Sequence, residues 1–313
     1  MKNASFQTLL DDVKISIRFA YKNAISYILA LLGVMIISII LLVFVAILIF
    51  VPLFFAMNGL EGLTLFFESF DPISGSGMTN IAVGIMLFAI PLMAPFFVAI
   101  GALFGLGREI VESEGTSAEG VFIWYKKKFF SLAGGGIVLF LFVLGPLLVG
   151  LFVGTAIYGE FFLNYVLFSS SSISNFGPIL SVLLLIWFAL SLGFLTMMFP
   201  AIIDGYSVIE AVKKSVRMSI TYFDRVFGVW VSFLVLLGLL VLPLMVIPYA
   251  LEFSLPLMIV LGIYAIPAIL FLIFIYLPAI TIALTRVYMI LTADDNEVIS
   301  QNDEAGPSFI GGL

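Results

Sequence analysis

Six long stretches of this chain carry no Asp, Glu, Lys or Arg: residues 23–60, 72–107, 129–159, 161–203, 226–251 and 253–285. An α-helix needs about 20 apolar residues to cross roughly 30 Å of hydrocarbon. Each stretch holds one crossing, and none comfortably holds two with a turn. The run 161–203 comes nearest, but Ser169–Ser172, Asn175, Gly177 and Pro178 break its first part. That part reads as an external loop or interfacial segment over 161–175. Six crossings are predicted at about 25–56, 79–107, 129–157, 178–203, 226–250 and 256–290. Composition agrees, since 63% of the 313 residues are apolar and only 10% are charged, against about 45–50% and 25% in soluble domains. A water-soluble globular enzyme is excluded. The chain has no His and no Cys, which removes thiol nucleophiles, His bases, Cys/His zinc sites, haem ligation by His and disulfides. The first apolar stretch far exceeds the usual ~7–15 residue core of a secretion signal, so the first helix is expected to stay in the mature protein.

The 13 basic residues fall in alternate loops. Lys2, Lys14, Arg18 and Lys22 precede the first crossing. Arg108, Lys126, Lys127 and Lys128 lie between the second and third. Lys213, Lys214, Arg217 and Arg225 lie between the fourth and fifth, and Arg286 lies at the end of the sixth. The other loops carry only Glu61, Glu68, Asp71, Glu160 and Glu252. Lys and Arg favour the cytoplasmic side of short loops. The expectation is a cell-membrane protein with both termini cytoplasmic.

Three segments read alike: Thr8–Leu29, Ala118–Leu132 and Val208–Val229. Each leads into an odd-numbered crossing and contains a tyrosine near basic residues: Tyr21, Tyr125 and Tyr222. The first groups Phe6, Leu9, Leu10, Val13, Ile17 and Tyr21 on one helical face, away from Lys14, Arg18 and Lys22. The third groups Ile209, Val212, Val216, Ile220 and Phe223 opposite Lys213, Lys214 and Arg217. Such helices lie in the membrane interface. Nine prolines fall within the crossings, and Pro95, Pro200 and Pro278 recur toward the cytoplasmic half of the even ones as predicted helix kinks. The predicted fold is therefore an all-α, polytopic membrane bundle of six transmembrane helices. It is organised as three helical-hairpin repeats (about 5–112, 113–204 and 205–291) with interfacial amphipathic helices. The transmembrane domain covers 1–291, and the acidic stretch 292–313, with no basic residue, reads as a disordered tail.

One stretch resembles a known pattern. Pro200-Ala201-Ile202-Ile203-Asp204-Gly205 is followed by Ile209-Glu210-Ala211-Val212-Lys213-Lys214-Ser215-Val216 and Phe223-Asp224-Arg225-Val226-Phe227-Gly228. It resembles a broad group of uncharacterised multi-pass proteins of bacteria and archaea. That group is similar to the membrane domain attached to some glycerophosphoryl diester phosphodiesterases. The resemblance implies membrane location and fold. It implies no catalysis, because the phosphodiesterase activity belongs to a separate soluble domain that uses acidic residues and histidine.

The crossings lack ionisable residues, which argues against ion coupling. Ser38, Thr155, Ser181, Ser191, Thr196, Ser232, Thr281 and Thr285 are expected to bond back to their own helices. Glu109, Glu112, Glu114 and Glu119 read as a solvated loop that balances Lys126–Lys128, rather than a divalent-cation site. Gly134-Gly135-Gly136 has no following Lys-Ser/Thr, so it is not a P-loop, and it reads as a close helix contact. Asn3-Ala4-Ser5 matches a glycosylation acceptor on the cytoplasmic side, where it goes unused. No catalytic residue, metal site or cofactor is predicted, and no nucleic acid. The expected partners are membrane lipids, with a protein partner or a second copy also open. Candidate lipid-headgroup contacts are Lys14, Arg18, Lys22, Lys126, Lys127, Lys128, Lys213, Lys214, Arg217 and Arg225. The favoured function is non-enzymatic organisation of lipid or partner proteins. The alternative is an uncoupled pore or carrier for a neutral or lipidic solute, suggested by the density of intramembrane proline.

Overall fold

The structure, a computed structural model, describes residues 5–69, 84, 88–113, 115–158, 176–250 and 255–304. The expected loop at 161–175, the start of the second crossing at 79–83, Glu114, Asn3 and the tail end 305–313 lie outside the described residues. Every element among those described is helical. In chain order they are α1 (Phe6–Lys22), α2 (Ala24–Ala56), α3 (Leu60–Glu68), α4 (Ile90–Ser113), α5 (Gly120–Lys127), α6 (Phe129–Tyr158) and α7 (Phe176–Leu195). Then follow α8 (Met198–Asp204), α9 (Val208–Thr221), α10 (Phe223–Ala250), α11 (Leu255–Phe271), a π-turn (Leu272–Tyr276) and α12 (Leu277–Glu304). Six helical paths are long and apolar enough to cross a membrane: Ala24–Ala56, Ile90–Ser113, Phe129–Gly150, Val182–Asp204, Phe223–Leu244 and Leu257–Ala293.

The ends of these helices differ from the sequence expectation where side chains intervene. α4 continues past Arg108 to Ser113, supported by an Arg108 Nε to Glu112 Oε1 bond of 2.8 Å at i, i+4. The last helix continues to Glu304, so the tail read as disordered from Thr292 is helical as far as it is described. No Gly or Pro interrupts it before Gly306-Pro307.

The three kink prolines act in three ways. α4 carries Pro95 in its interior and stays continuous. Before Pro200 the fourth path breaks altogether at Thr196-Met197, and Pro200 sits in the first turn of α8, where a missing N–H costs nothing. Before Pro278 the chain widens into the π-turn, with Leu277 N–H donating to the Leu272 carbonyl, five residues back.

Three breaks recur where a short helix meets a long apolar one: Asn23 after α1, Lys128 after α5 and Tyr222 after α9. At each, the break residue keeps its bond to the carbonyl four residues back, and its own carbonyl accepts from the residue four ahead, at 2.8–3.0 Å. The break residue therefore keeps one ladder bond on each side while the helix is interrupted around it. Counted from the break, the positions seven and three residues before it and four after it are buried in all three. They are Ser16, Ala20 and Tyr27; Val121, Tyr125 and Leu132; and Ser215, Ser219 and Val226. The tyrosines matched by sequence do not share a position. Tyr21 is 76% exposed, two residues before its break, whereas Tyr125 and Tyr222 are buried at different registers.

The chain divides into two compact units. The first comprises Met1–Ala30, Leu103–Val121 and Thr196–Leu313, and the second Leu31–Ala102 and Phe122–Leu195. In the second unit Gly136, the last of the three glycines, lies against Phe97, whose Cβ and ring a methyl group at Gly136 would overlap. A second close approach sets Gly33 against the Phe122 ring. Buried Ser38 donates to the Pro95 carbonyl at 3.0 Å, beside the Tyr125 hydroxyl at 3.3 Å. Trp187 Nε1 donates to the Val143 carbonyl at 3.1 Å.

In the first unit, polar groups join helices far apart in sequence. Tyr27 donates to Thr281, whose own proton goes to the Pro278 carbonyl at 2.9 Å. Tyr276 donates to the Phe233 carbonyl at 2.9 Å. Asp12, on the inner face of α1, has a side chain only 3% exposed. Arg225 of α10 grips it through Nε at 3.1 Å and Nη2 at 3.4 Å, and Arg286 of α12 donates to it through Nη1. Removing one member of such a buried pair typically costs about 3–5 kcal/mol. Asp12→Ala should therefore lower the thermal unfolding midpoint of the purified protein markedly, and Asp12→Asn, which keeps an acceptor, should lower it less. An unchanged midpoint in Asp12→Ala would show that the cluster does not hold α1.

Candidate functional site

The candidate site is built on α9 and the short turn before it. Gly205 ends α8 at φ 115°, a left-handed conformation that glycine adopts without strain. Ser207 then starts α9. Its backbone N–H and its hydroxyl both donate to Glu210 Oε2, at 3.1 and 2.8 Å. This is the Glu half of a capping box, and it satisfies a donor that the first turn would otherwise leave open. These bonds from Ser207, with a smaller contribution from Lys213, hold the Glu210 carboxyl below its usual range.

α9 presents three faces. Ala211, Ser215, Met218 and Ser219 are buried. Ser215 accepts the N–H of Met197 at 3.2 Å, so it satisfies the amide freed where the fourth path breaks. Ile209 and Ile220 are exposed, and Val212 and Val216 half-exposed. Lys213, Lys214 and Arg217 follow on the third face. At 3.6 residues per turn, the apolar stripe lies roughly 100° round from the buried one, and the basic stripe roughly 100° further. α1 repeats this order with the same rotational sense. Asp12, Ser16 and Ala20 are buried, Phe6, Leu10 and Tyr21 are exposed beside Val13 and Ile17, and Lys14, Arg18 and Lys22 come next. The apolar stripes found in the sequence thus face outward, and the protein-facing stripes are small and polar. The i, i+4 spacing of Asp12, Ser16 and Ala20, and of Ala211, Ser215 and Ser219, is the sequence signal for those inner faces. α5 has only eight residues and shows no such order: Val121 and Tyr125 are buried, and Ile123, Lys126 and Lys127 are exposed. Burial raises the Tyr125 hydroxyl pKa, against the opposing bond to Ser38.

The candidate headgroup contacts separate by environment. Lys14, Arg18, Lys22, Lys126, Lys127, Lys213 and Arg217 are exposed. Lys127 lies 5.8 Å from the Trp124 ring centroid. Lys128 is half-buried at its break. Lys214 lies over the rings of Tyr206 and Tyr288, at 4.1 and 5.0 Å, and donates to the Tyr206 hydroxyl at 2.9 Å. Arg225 is committed to Asp12. Nearby, Asp204 accepts from Arg108 Nη1 at 2.9 Å and from the Tyr288 hydroxyl at 3.0 Å, which joins α4, α8 and α12. Of the acidic cluster, Glu112 takes Arg108, and Glu109 accepts from the Thr116 hydroxyl at 2.8 Å.

On α9 an open groove of about 490 Å³ runs between Val212, Lys213, Val216, Arg217, Ile220 and Thr221. Its floor is apolar and its edge cationic. Chemically it suits an amphiphile with an anionic head. No protein family, curated protein or solved structure matches this chain.

The start of α9 should respond to acid. A carboxyl whose pKa is depressed on folding stabilises the fold above its unfolded pKa, and that contribution is lost as pH falls through the folded value. At neutral pH, Glu210→Gln should therefore reduce hydrogen-exchange protection over the first turn of α9. Below the usual carboxylate range, wild type and variant should converge. Equal protection at neutral pH would show that the carboxylate charge adds nothing to the cap.

Proposed function

We propose that this chain is a non-enzymatic, multi-pass protein of the cell membrane that gathers anionic lipid along its cytoplasmic rim. The observation that carries this reading is the three-faced construction of α1 and α9. A small polar face docks on the protein, an apolar face is left uncovered, and a basic face lies beyond it. A helix so built rests in the interface, with its apolar stripe among the acyl chains and its cations among the phosphates. Each cation near an anionic surface contributes roughly 1 kcal/mol. Both termini are cytoplasmic in this reading, because alternate connections hold all 13 basic residues. The shared breaks and their buried positions support three hairpin repeats, with α1 and α9 the most alike.

Two measurements test this. The chain has no native cysteine, so single substitutions report sidedness directly. Gly75→Cys and Ser172→Cys should react with an impermeant maleimide only from outside, and Lys127→Cys only from the cytoplasm. Labelling of either outer position from the cytoplasm alone would overturn the topology. For lipid selection, spin-labelled phosphatidylglycerol should be motionally restricted by the reconstituted protein more than spin-labelled phosphatidylcholine. Added salt should reduce the preference, as should Lys14→Gln/Arg18→Gln/Lys22→Gln and Lys126→Gln/Lys127→Gln/Lys128→Gln. Equal restriction of both lipids would remove the reading.

A further inference from the structure

The α9 groove carries the lipid reading from a general attraction to a single site. The groove is open and lies along one helix, so its occupant would be held from one side only. Its lining is sorted by chemistry along the helix. Val212, Val216 and Ile220 follow one another at i, i+4 and i+8 and form a continuous apolar floor. Lys213 and Arg217 stand at i and i+4 in the adjacent row. Side chains at that spacing are neighbours, and two cations there repel. Among the described residues neither forms an ion pair, whereas Arg108, Arg225 and Arg286 each hold a carboxylate. The nearest acid on the helix, Glu210, bonds Ser207 through Oε2 and attracts Lys213 only weakly, and it lies two turns from Arg217. The repulsion is relieved by an anion placed between the two cations, with an apolar body that continues into the groove.

We propose that the groove binds one anionic phospholipid, with its phosphate between Lys213 and Arg217 and an acyl chain along Val212, Val216 and Ile220. Two requirements select a lipid over free phosphate: the cation pair asks for a phosphate, and the floor beside it asks for hydrocarbon. The inference rests on the reading that α9 lies at the membrane surface. It adds a stoichiometric site to the diffuse preference of the rim.

The test is native mass spectrometry of the full chain, released from nanodiscs that contain phosphatidylcholine in excess over phosphatidylglycerol. Wild type should retain a single phosphatidylglycerol. Lys213→Gln/Arg217→Gln should reduce that species about tenfold or more, as expected for removal of two surface cations. Val216→Trp, which fills the groove and leaves the charge unchanged, should reduce it as well. Lys126→Gln/Lys127→Gln/Lys128→Gln should leave it intact while lowering the spin-label preference. Inorganic phosphate at millimolar concentration should not displace it. Absence of the retained lipid from wild type would overturn the site, as would its survival in both groove variants or its displacement by phosphate. A spin-label preference without a retained lipid would defeat the site alone. A retained lipid without that preference would defeat the broader reading alone.

Discussion

The first unit depends on one carboxylate. Asp12 sits on the buried side of α1 and is shared by Arg225 at the start of α10 and Arg286 in α12. Three helices far apart in sequence therefore meet at one acidic group. Burying a charge is tolerable only when it is paired and hydrogen-bonded, and here one anion faces two guanidiniums that remain partly exposed. The arrangement also fixes the rotation of α1. Once Asp12 must face inward, Ser16 and Ala20 follow it at i+4 and i+8. The apolar residues Phe6, Leu10 and Tyr21 are then turned outward.

The same economy of polar groups handles the prolines. In hydrocarbon a backbone amide or carbonyl without a partner costs several kcal/mol, so each interruption of a helix needs its own remedy. The Thr196-Met197 break is mended by Ser215, the Pro278 kink by a π-turn, and the Tyr27–Thr281 pair places two hydroxyls beside Pro278. Ser38 reaches the Pro95 carbonyl from another helix. Of the intramembrane hydroxyls expected to bond back to their own helices, Ser232 and Thr285 do so, each at 2.7 Å, to the Gly228 and Thr281 carbonyls. Ser38 instead joins two helices, and Thr281 does both. Ser191 is buried with no partner. Pro95 and Pro278 thus mark two places where hydroxyls hold helices together.

Much of the helical layout was legible in the position of the charges. The uncharged runs located the six apolar helices, because a charge inside hydrocarbon is the most expensive error such a chain can make. The inner faces were not legible in the same way. Hydrophobic periodicity in α1 and α9 points to the stripe that water avoids, and in a soluble protein that stripe would be the core. Here the stripe is exposed and the core contacts are made by Asp12, Ser16, Ala211 and Ser215, residues that hydropathy scores as surface. The tyrosine match failed for a related reason. Residue type aligns Tyr21, Tyr125 and Tyr222, but the feature common to the three segments is a helix break at Asn23, Lys128 and Tyr222, which no single residue type encodes. The break before Pro200 was foreshadowed by the proline and misplaced by a few residues, because a proline disturbs the bond to the carbonyl four residues before it.

A helix with an uncovered apolar stripe is a hazard in water, since contiguous apolar surface invites association. α1 and α9 carry such stripes as part of a folded unit, so something apolar has to lie against them. Their basic rows narrow the choice. In the proposed reading lipid satisfies the stripe and the cations together, because its chains and phosphates are stacked in the same order as the two rows, whereas a protein partner would need carboxylates set along the basic row. The third, inward row then has a distinct task. It is mostly small and polar so that α1 and α9 can lie close against the bundle; Leu9, at the edge of the apolar stripe of α1, is the exception and packs on Gly228 of α10, where an added Cβ would come within 2.7 Å of the leucine. In the proposed reading each helix holds one side on the protein and one side on the membrane, and the break that follows it leads into a long apolar helix while the break residue keeps a ladder bond on each side.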